Sequence, residues 1–212
     1  MKKTVWKIVK RKTLILLLAV AMTAFVISTD SSATISPAKY SLGHITYSCG
    51  ASDIGSYSNI LSASATCWNN AISTYGCSNN ISLTSVTSGN VMVSYTSQYN
   101  NASVLGRTCL YSTDYYGNPF QVNLTDATNW EYAYLYVYPG HILAAVNQSY
   151  EFGPNDVETC IKKTTVHEFG HILGLMHPED MPAFSVMYQG LSIAYVPSTY
   201  DKSELHRQWC QQ

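Results

Sequence analysis

The sequence predicts a single α+β domain built on one mixed sheet, and three observations lead to it. The 212 residues contain no internal repeat and no linker. Apolar residues recur at helical spacing in segments 56–75 and 155–173. The segments between them alternate apolar and polar residues, as half-buried strands do. This order of elements favours helices packed on one sheet, and the chain is long enough to bury a real core.

The first half of the chain combines one helix with two strands. Residues 56–75 predict a helix that ends at Gly76, because glycine adopts the left-handed conformation found just past helix ends. Residues 81–86 and 91–95 alternate as two strands, and Ser88-Gly89-Asn90 is the expected turn between them. We therefore expect these two strands to follow one another closely in the sheet.

Two further strands are predicted in the middle of the chain. Residues 104–111 form a third strand candidate. Residues 131–138 alternate cleanly, with Ala, Leu and Val on one face and four tyrosines on the other. Such a strand is half-buried, and Pro139-Gly140 is expected to end it.

The C-terminal part predicts two helices. The first begins near Asn155, which together with Glu158 has the spacing of a capping box, and it stops at Gly174. The last helix covers residues 200–210, with residue 198 or 199 as its N-cap.

The N-terminus has the organisation of a secretory signal peptide. Six of the twelve basic residues lie in the first twelve positions, fourteen uncharged apolar residues follow at 14–27, and small residues occupy 28–33. We predict cleavage after Ala33, so that residues 1–33 are removed and residues 34–212 form the mature domain. An uncleaved anchor is disfavoured, because fourteen apolar residues are short for a span of about twenty. The chain is expected to be secreted.

The mature part is acidic and rich in cysteine. It keeps six basic and twelve acidic side chains, a net charge of −6, which argues against nucleic acid as a partner. An even number of cysteines in an exported chain predicts up to three disulfides, whose pairing the sequence leaves open. The six are Cys49, Cys67, Cys77, Cys109, Cys160 and Cys210. No C-x-x-C pair is present, so a cysteine-based zinc site is not expected.

The segment with the clearest chemical signal begins at His167. On a helix, His167 and His171 lie one turn apart on the same face and can direct a ring nitrogen at one metal ion. Gly174 allows the turn that ends the helix, so His177 can approach as a third ligand from another direction. Glu168 is offset from this face and can contact a water molecule without binding the metal.

Three histidines and one open position are typical of a catalytic zinc site rather than a structural one. The metal lowers the pKa of its bound water from about 16 towards about 7. Glu168 is then the candidate general base, which takes the proton of that water and passes it to the leaving amine.

This segment resembles the metzincin zinc proteases. Residues 167–177 match the pattern H-E-x-x-H-x-x-G-x-x-H at every specified position. Ser185-Val186-Met187-Tyr188 is similar to the methionine turn of that family, and Met187 would form an apolar floor under the three imidazoles. Tyr188 directly after the methionine is most similar to the matrixins, notably small bacterial matrixin-like enzymes. The resemblance is specific over 155–210 and loose from about residue 56.

The resemblance implies a fold, a substrate and a cofactor. The fold is a mixed twisted sheet with an active-site helix, a Met-turn and a C-terminal helix. Residues 104–108 resemble the edge strand along which this family binds an extended polypeptide, and one catalytic Zn²⁺ is expected. Two features depart from matrixins: Pro178 follows the third histidine, and no Pro-Arg-Cys-Gly propeptide switch is present.

Calcium has weaker support than zinc. Asp114, Asn118 and Asp156 carry suitable oxygen atoms, but no EF-hand spacing supports that ion. The segment 189–196, after the expected Met-turn, contains four apolar residues and suggests a hydrophobic preference for the substrate residue after the scissile bond.

We therefore expect a secreted zinc endopeptidase that is monomeric and has no stable membrane association once the signal is removed. Two alternatives stay open. One is a zinc amidase or peptidase that acts on cell-wall peptides, and the other is a catalytically silent binding module with the same fold. Glu168 weighs against the silent module, because catalysis needs this residue and zinc binding does not.

Overall fold

A six-stranded mixed sheet forms the centre of the molecule. The computed structural model describes residues 35–50, 54–97, 99–179 and 184–211. The strands are β1 His44–Cys49, β2 Ser82–Ser85, β3 Val91–Tyr95, β4 Gly106–Thr113, β5 Pro119–Val122 and β6 Tyr132–Val137. Their order in the sheet is β2-β1-β3-β6-β4-β5. The first four strands in this order, β2, β1, β3 and β6, run parallel to one another. Strand β4 is antiparallel to both β6 and β5.

The pairing of β4 leaves part of its backbone uncovered. On one side, β6 pairs with β4 from Gly106 to Tyr111. On the other side, β5 pairs only with Leu110–Thr113. Among the described strands, none pairs with Gly106–Cys109 on the side opposite β6, although β4 is not the last strand of the sheet.

The described residues also contain four α-helices: α1 Ile54–Thr74, α2 Pro139–Gln148, α3 Val157–Ile172 and α4 Thr199–Trp209. Helix α3 is almost entirely buried from Cys160 onward, since it lies between α1 and strands β4 and β6. The Trp68 indole N–H of α1 donates to the Val166 carbonyl at 2.7 Å, in the middle of α3. On β6, Ala133, Leu135 and Val137 are buried while the tyrosines lie on the other face. A helix with this much buried surface holds its side chains in fixed positions.

The predicted α+β class with a mixed sheet, a buried central helix and a C-terminal helix is confirmed. Helix α1 ends before Gly76 at φ +72°, and α3 ends before Gly174 at φ +81°, as expected from the two glycines. Ser198 is the N-cap of α4, and its hydroxyl accepts the Asp201 N–H.

Two local predictions are wrong, and a third is incomplete. Strands β2 and β3 are not neighbours, because each pairs with β1 in parallel instead of with the other. Pro139 follows the end of β6 as predicted, but it also begins helix α2, which the sequence does not predict; the fixed φ and missing N–H of proline suit the first turn of a helix. The Asn155 cap is absent, since a short 3₁₀ turn at Pro154–Asp156 precedes α3 and the Asp156 carboxylate accepts the Gly153 N–H at 2.8 Å.

One disulfide lies among the described residues. Cys77, just after α1, is bonded to Cys210 at the end of α4, over a separation of 133 residues. The predicted signal segment 1–33 lies outside the described residues. Within the described part, no helix is both long and apolar enough to cross a membrane.

Candidate metal centre

Three imidazole nitrogens converge at the C-terminal end of α3. His167 and His171 project from the last turns of this helix, and the chain turns back at Gly174 to bring His177 to them. The Nε2 atom of His177 lies 3.1 Å from the Nε2 atom of His167 and 3.1 Å from that of His171. The structure thus brings together the three histidines that the sequence predicts as metal ligands.

The turn at position 174 requires a glycine, both because its φ is positive and because a side chain has no room there. Its positive φ is unfavourable for residues with a side chain, and a Cβ would lie 2.6 Å from the Gln208 Nε2 atom. Gln208 donates to the Ser36 carbonyl at 2.8 Å, and the Ser36 N–H donates to the Gly174 carbonyl at 2.8 Å. The N-terminal segment and α4 therefore hold the turn that positions His177.

The outer nitrogens of the two helix histidines fix the ring orientation. The His167 Nδ1–H donates to the Val186 carbonyl at 2.9 Å, and the His171 Nδ1–H donates to the Leu175 carbonyl at 2.8 Å. When Nδ1 carries the proton of a neutral imidazole, Nε2 presents a lone pair. Both Nε2 lone pairs therefore face the point where the three rings meet.

The environment keeps these rings neutral. Burial lowers the pKa of His167 well below its ordinary value and that of His171 to about 4, and the neighbouring histidines act in the same direction. Burial also lowers the pKa of His177, which is more exposed than the other two. Lone pairs on ring nitrogens 3.1 Å apart repel one another unless a proton or a metal cation lies between them.

The donor set fits a tetrahedral zinc ion. Zinc binds histidine nitrogen at about 2.0–2.1 Å, which places tetrahedral ligand atoms roughly 3.3 Å apart. The two measured separations of 3.1 Å are close to that value. The residues His167, His171 and His177 could therefore hold a metal ion with a fourth position open to the cavity.

Glu168 lies beside the histidines and is almost entirely buried, at 4% exposure. The Thr108 hydroxyl of β4 lies 2.7 Å from the Glu168 Oε2 atom and 3.1 Å from its backbone carbonyl. Burial raises the pKa of Glu168 to about 7, although the Thr108 hydrogen bond and the Lys163 ammonium oppose this increase. A carboxyl group with this pKa can both accept and release a proton near neutral pH.

Gly106 leaves room for the Glu168 side chain. A Cβ at Gly106 would lie 2.6 Å from the Glu168 Oε1 atom and 2.7 Å from the Thr164 methyl carbon. Any larger residue at position 106 would displace the Glu168 carboxylate, because the backbone of β4 passes directly against α3.

Met187 lies under the helix that carries the two histidines. It is 1% exposed, and a Cβ at Gly170 would be only 2.2 Å from its sulfur. Gly170 precedes His171, so the methionine packs against the backbone of the site helix. Asp201 of α4 holds this segment, because its carboxylate accepts the Ser185 hydroxyl at 2.6 Å and the Val186 N–H at 3.0 Å.

The histidines and Glu168 open into a cavity of about 420 Å³. Its lining includes the N-terminal part of β4 with the residues before it, and also Gln189 and Gly190. Lys163, one helical turn before His167, also lines this cavity. The uncovered edge of β4 therefore borders the same space as the three histidines.

Sequence reasoning missed three residues of this site. Thr108 carried no local signal, because its contact with Glu168 joins segments sixty positions apart. Lys163 has a helical spacing that places it on the face of His167, and this signal could have identified it. Asp201 stands in a Ser-x-x-Asp capping pattern, but its bonds to Ser185 and Val186 are contacts that the pattern does not contain.

The other metal candidates have different local roles. The Asp114 carboxylate accepts the backbone N–H groups of Tyr116 and Asn118, both at 2.8 Å, in the turn between β4 and β5. A second group of potential ligands, Cys77, His206 and Cys210, contains the two sulfur atoms of the disulfide. A bonded pair of sulfurs has no thiolate to offer a metal.

Comparison with known proteins gives matches by structure. No known family matches the sequence. No curated protein matches it either. A chain of the GM1-bound form of the ECX AB5 holotoxin is 14% identical, with a TM-score of 0.52 over 84% of this chain and 89% of that one. This similarity shows a shared fold.

Two further solved structures have lower scores. Myroilysin is 14% identical with a TM-score of 0.44, over 85% of this chain and 100% of that one. Archaemetzincin from Methanopyrus kandleri is 15% identical with a TM-score of 0.41, over 78% of this chain and 96% of that one.

Proposed function

We propose that this protein is a zinc-dependent endopeptidase of the metzincin type, similar to the matrixins. The observation that carries the proposal is a buried glutamate, held by the Thr108 hydroxyl, next to three convergent histidine nitrogens at an open cavity. A purely structural zinc site needs four protein ligands and no neighbouring base.

His167, His171 and His177 would hold the zinc, with their orientation fixed by backbone carbonyls. A zinc ion there would supply Lewis acidity, which lowers the pKa of a water molecule and polarises a substrate carbonyl. Glu168 accepts the proton of the attacking water and later donates it to the leaving amine. Thr108 keeps the carboxylate in place for both transfers. Met187 and Gly174 support the site by packing and by the turn.

An extended polypeptide is the substrate that the cavity favours. In the part of the chain that the structure describes, Gly106–Cys109 have an unpaired strand edge beside the cavity of the histidines, since β5 pairs only with Leu110–Thr113. An added antiparallel strand would form backbone hydrogen bonds with this edge and bring one of its carbonyl groups to the metal. Backbone recognition of this kind accepts many sequences, so further side-chain contacts must supply any preference.

We also propose that the protein is secreted and monomeric, with residues 1–33 as a cleaved signal peptide. The basic, apolar and small-residue segments of the N-terminus support export, and a disulfide is typical of exported proteins. N-terminal sequencing of protein from the culture medium is expected to begin at Thr34. A retained residue 1–33 segment would contradict this part of the proposal.

The test of the function is hydrolysis of an unfolded protein before and after zinc removal. We expect a chelator to abolish cleavage, zinc to restore it, and zinc-loaded Glu168→Gln to bind the metal without cleaving. Peptidoglycan fragments serve as a parallel substrate. Cleavage of these fragments alone would indicate the cell-wall amidase, and tight zinc binding with no cleavage of either substrate would indicate the silent binding module.

A further inference from the structure

Lys163 is a buried cation that forms no ion pair with any described residue. Its side chain is 2% exposed, and its ammonium donates to the Tyr188 carbonyl at 2.5 Å and the Gly190 carbonyl at 3.1 Å. An ammonium group has three N–H donors, so one donor has no acceptor among the described residues. A buried charge without a counter-ion is unfavourable unless a binding partner supplies one.

The nearby carboxylates are already engaged. Glu168 and Asp201 act on Lys163 electrostatically, but neither forms an ion pair with it. Glu168 is bonded to Thr108, and Asp201 accepts hydrogen bonds from Ser185, Val186 and Ser198. Burial lowers the pKa of Lys163 to about 8, so the side chain is still mostly an ammonium ion at pH 7.

The position of Lys163 connects this charge to the substrate cavity. It lies one helical turn before His167, lines the same cavity as His167 and His177, and its ammonium donates to the carbonyl of Gly190, which also lines the cavity. A peptide whose carbonyl binds beside the histidines would have its neighbouring side chains in the cavity that Lys163 lines. The positive charge of Lys163 therefore belongs to a residue in the wall of the cavity that would receive the substrate.

We propose that Lys163 determines specificity, by selecting polypeptides with an aspartate or glutamate side chain next to the scissile bond. This inference rests on the proposed peptidase function and names its substrate class. The substrate carboxylate would accept the remaining Lys163 N–H and supply the missing negative charge. Charge-assisted hydrogen bonds of this kind are among the stronger ones in proteins.

The apolar residues of segment 189–196, after Met187, do not determine the substrate preference. Leu191 and Tyr195 pack against the core, whereas Ile193 and Val196 are more than half exposed. None of the four lines the cavity, to which that segment contributes Gln189 and Gly190. Lys163 lines the cavity and these four residues do not, so the proposed preference is assigned to Lys163.

The experiment compares matched peptides that differ by Glu or Gln at each position flanking the cleaved bond. At one of these positions, we expect the wild type to cleave the Glu peptide with a kcat/KM at least about tenfold higher. This comparison needs no variant, so a folding defect cannot obscure it. Equal rates for Glu and Gln at every position would overturn the inference.

Two variants then assign the preference to one side chain. Lys163→Met removes the ammonium with little change in volume, and we expect the preference for Glu to disappear. Lys162→Met is the matched control, because it removes the same charge from the next residue of α3. The Lys162 ammonium lies 3.9 Å over the Tyr195 ring and does not line the cavity. Loss of the preference in both variants would contradict a specific role for Lys163.

A binding measurement separates this inference from the proposed function. The zinc-loaded Glu168→Gln protein is expected to bind the Glu peptide about tenfold more tightly than the Gln peptide, as measured by calorimetry. A wild type that cleaves peptides without any acidic preference would refute only the role of Lys163. A wild type that cleaves nothing, combined with Lys163-dependent binding of the Glu peptide, would refute only the peptidase.

Discussion

The buried surroundings of Glu168 disfavour the ionised form of its carboxyl group. Burial raises its pKa from 4.5 to about 7. Between these values the folded, metal-free chain binds more protons than the unfolded chain. The contribution of this residue to the free energy of unfolding therefore decreases as the pH rises from 4.5 to 7, by up to about 3 kcal/mol.

Replacing Glu168 by glutamine tests this directly. The amide is uncharged and can still accept the Thr108 hydrogen bond, so the metal-free variant should be more stable than the wild type at pH 8 by about 2–3 kcal/mol. At pH 4.5 the two proteins should differ by less than about 1 kcal/mol, because the wild-type carboxyl group is then largely protonated in the folded state. Urea denaturation at both pH values measures this difference. The same difference at the two pH values would contradict the raised pKa.

Gly106 has a testable effect on the same carboxylate. In Gly106→Ala the new Cβ would lie against the Glu168 Oε1 atom, so the carboxylate must move. We expect peptide hydrolysis to fall by at least about tenfold, because catalysis is sensitive to displacements of this size. Zinc affinity should stay the same, since Glu168 is not a ligand.

Gly140→Ala is the control for this prediction, because no atom lies within 4 Å of a Cβ at that position. A Gly106→Ala protein with full activity, or one that loses zinc, would show that the glycine does not act through Glu168.

At the scale of elements, local signals identified three of the four described helices and the sequence motif, but not helix α2. Helical spacing and the glycine stop predicted α3, and the same stretch of chain contains all three histidines. The approach of His177 could be inferred because it depends on the single turn at Gly174. The Nε2 separations of 3.1 Å confirm that the three rings converge.

The pairing of strands could not be predicted in the same way. Alternation marked β2 and β3 as strands, but their common partner β1 lies more than thirty residues earlier in the chain. The partner of a strand depends on such long-range packing, which a local pattern does not contain. For the same reason, the Thr108 contact with Glu168 could be found only in the structure.

Helix α4 links its own N-terminus to the segment under the metal site. Asp201 accepts four hydrogen bonds, two from Ser198 and one each from Ser185 and Val186. The Val186 carbonyl in turn orients His167. A single carboxylate therefore stabilises the helix start and the position of one candidate ligand.

We expect Asp201→Asn to lower the free energy of unfolding by about 2 kcal/mol or more, because the amide accepts fewer bonds and brings in a donor. Zinc affinity should fall by up to about tenfold, as for other groups that support metal ligands. Ser198→Ala removes mainly the helix cap and should cost only about 1 kcal/mol. Equal effects of the two substitutions on stability and on zinc affinity would contradict the link to Ser185 and Val186.

At the scale of the molecule, the disulfide joins the ends of α1 and α4. Cys77 and Cys210 close a loop of 133 residues that contains most of the sheet and the whole metal site. Disulfides stabilise mainly by restricting the unfolded chain, so replacing both cysteines by serine should lower stability by about 2–5 kcal/mol. Thermal unfolding of the oxidised, reduced and double-serine proteins measures this. An unchanged midpoint after reduction would contradict the prediction.

The most direct test of the proposed catalytic centre is to titrate zinc into the metal-free chain and to measure the rate at which it cleaves an unfolded protein. We predict that the rate rises in proportion to the zinc added and reaches a plateau at one equivalent. Glu168→Gln should bind the same single equivalent and remain inactive, whereas His177→Ala should bind zinc weakly. A rate that does not depend on zinc, or an active zinc-loaded Glu168→Gln protein, would contradict the assignment of His167, His171, His177 and Glu168 to one catalytic centre.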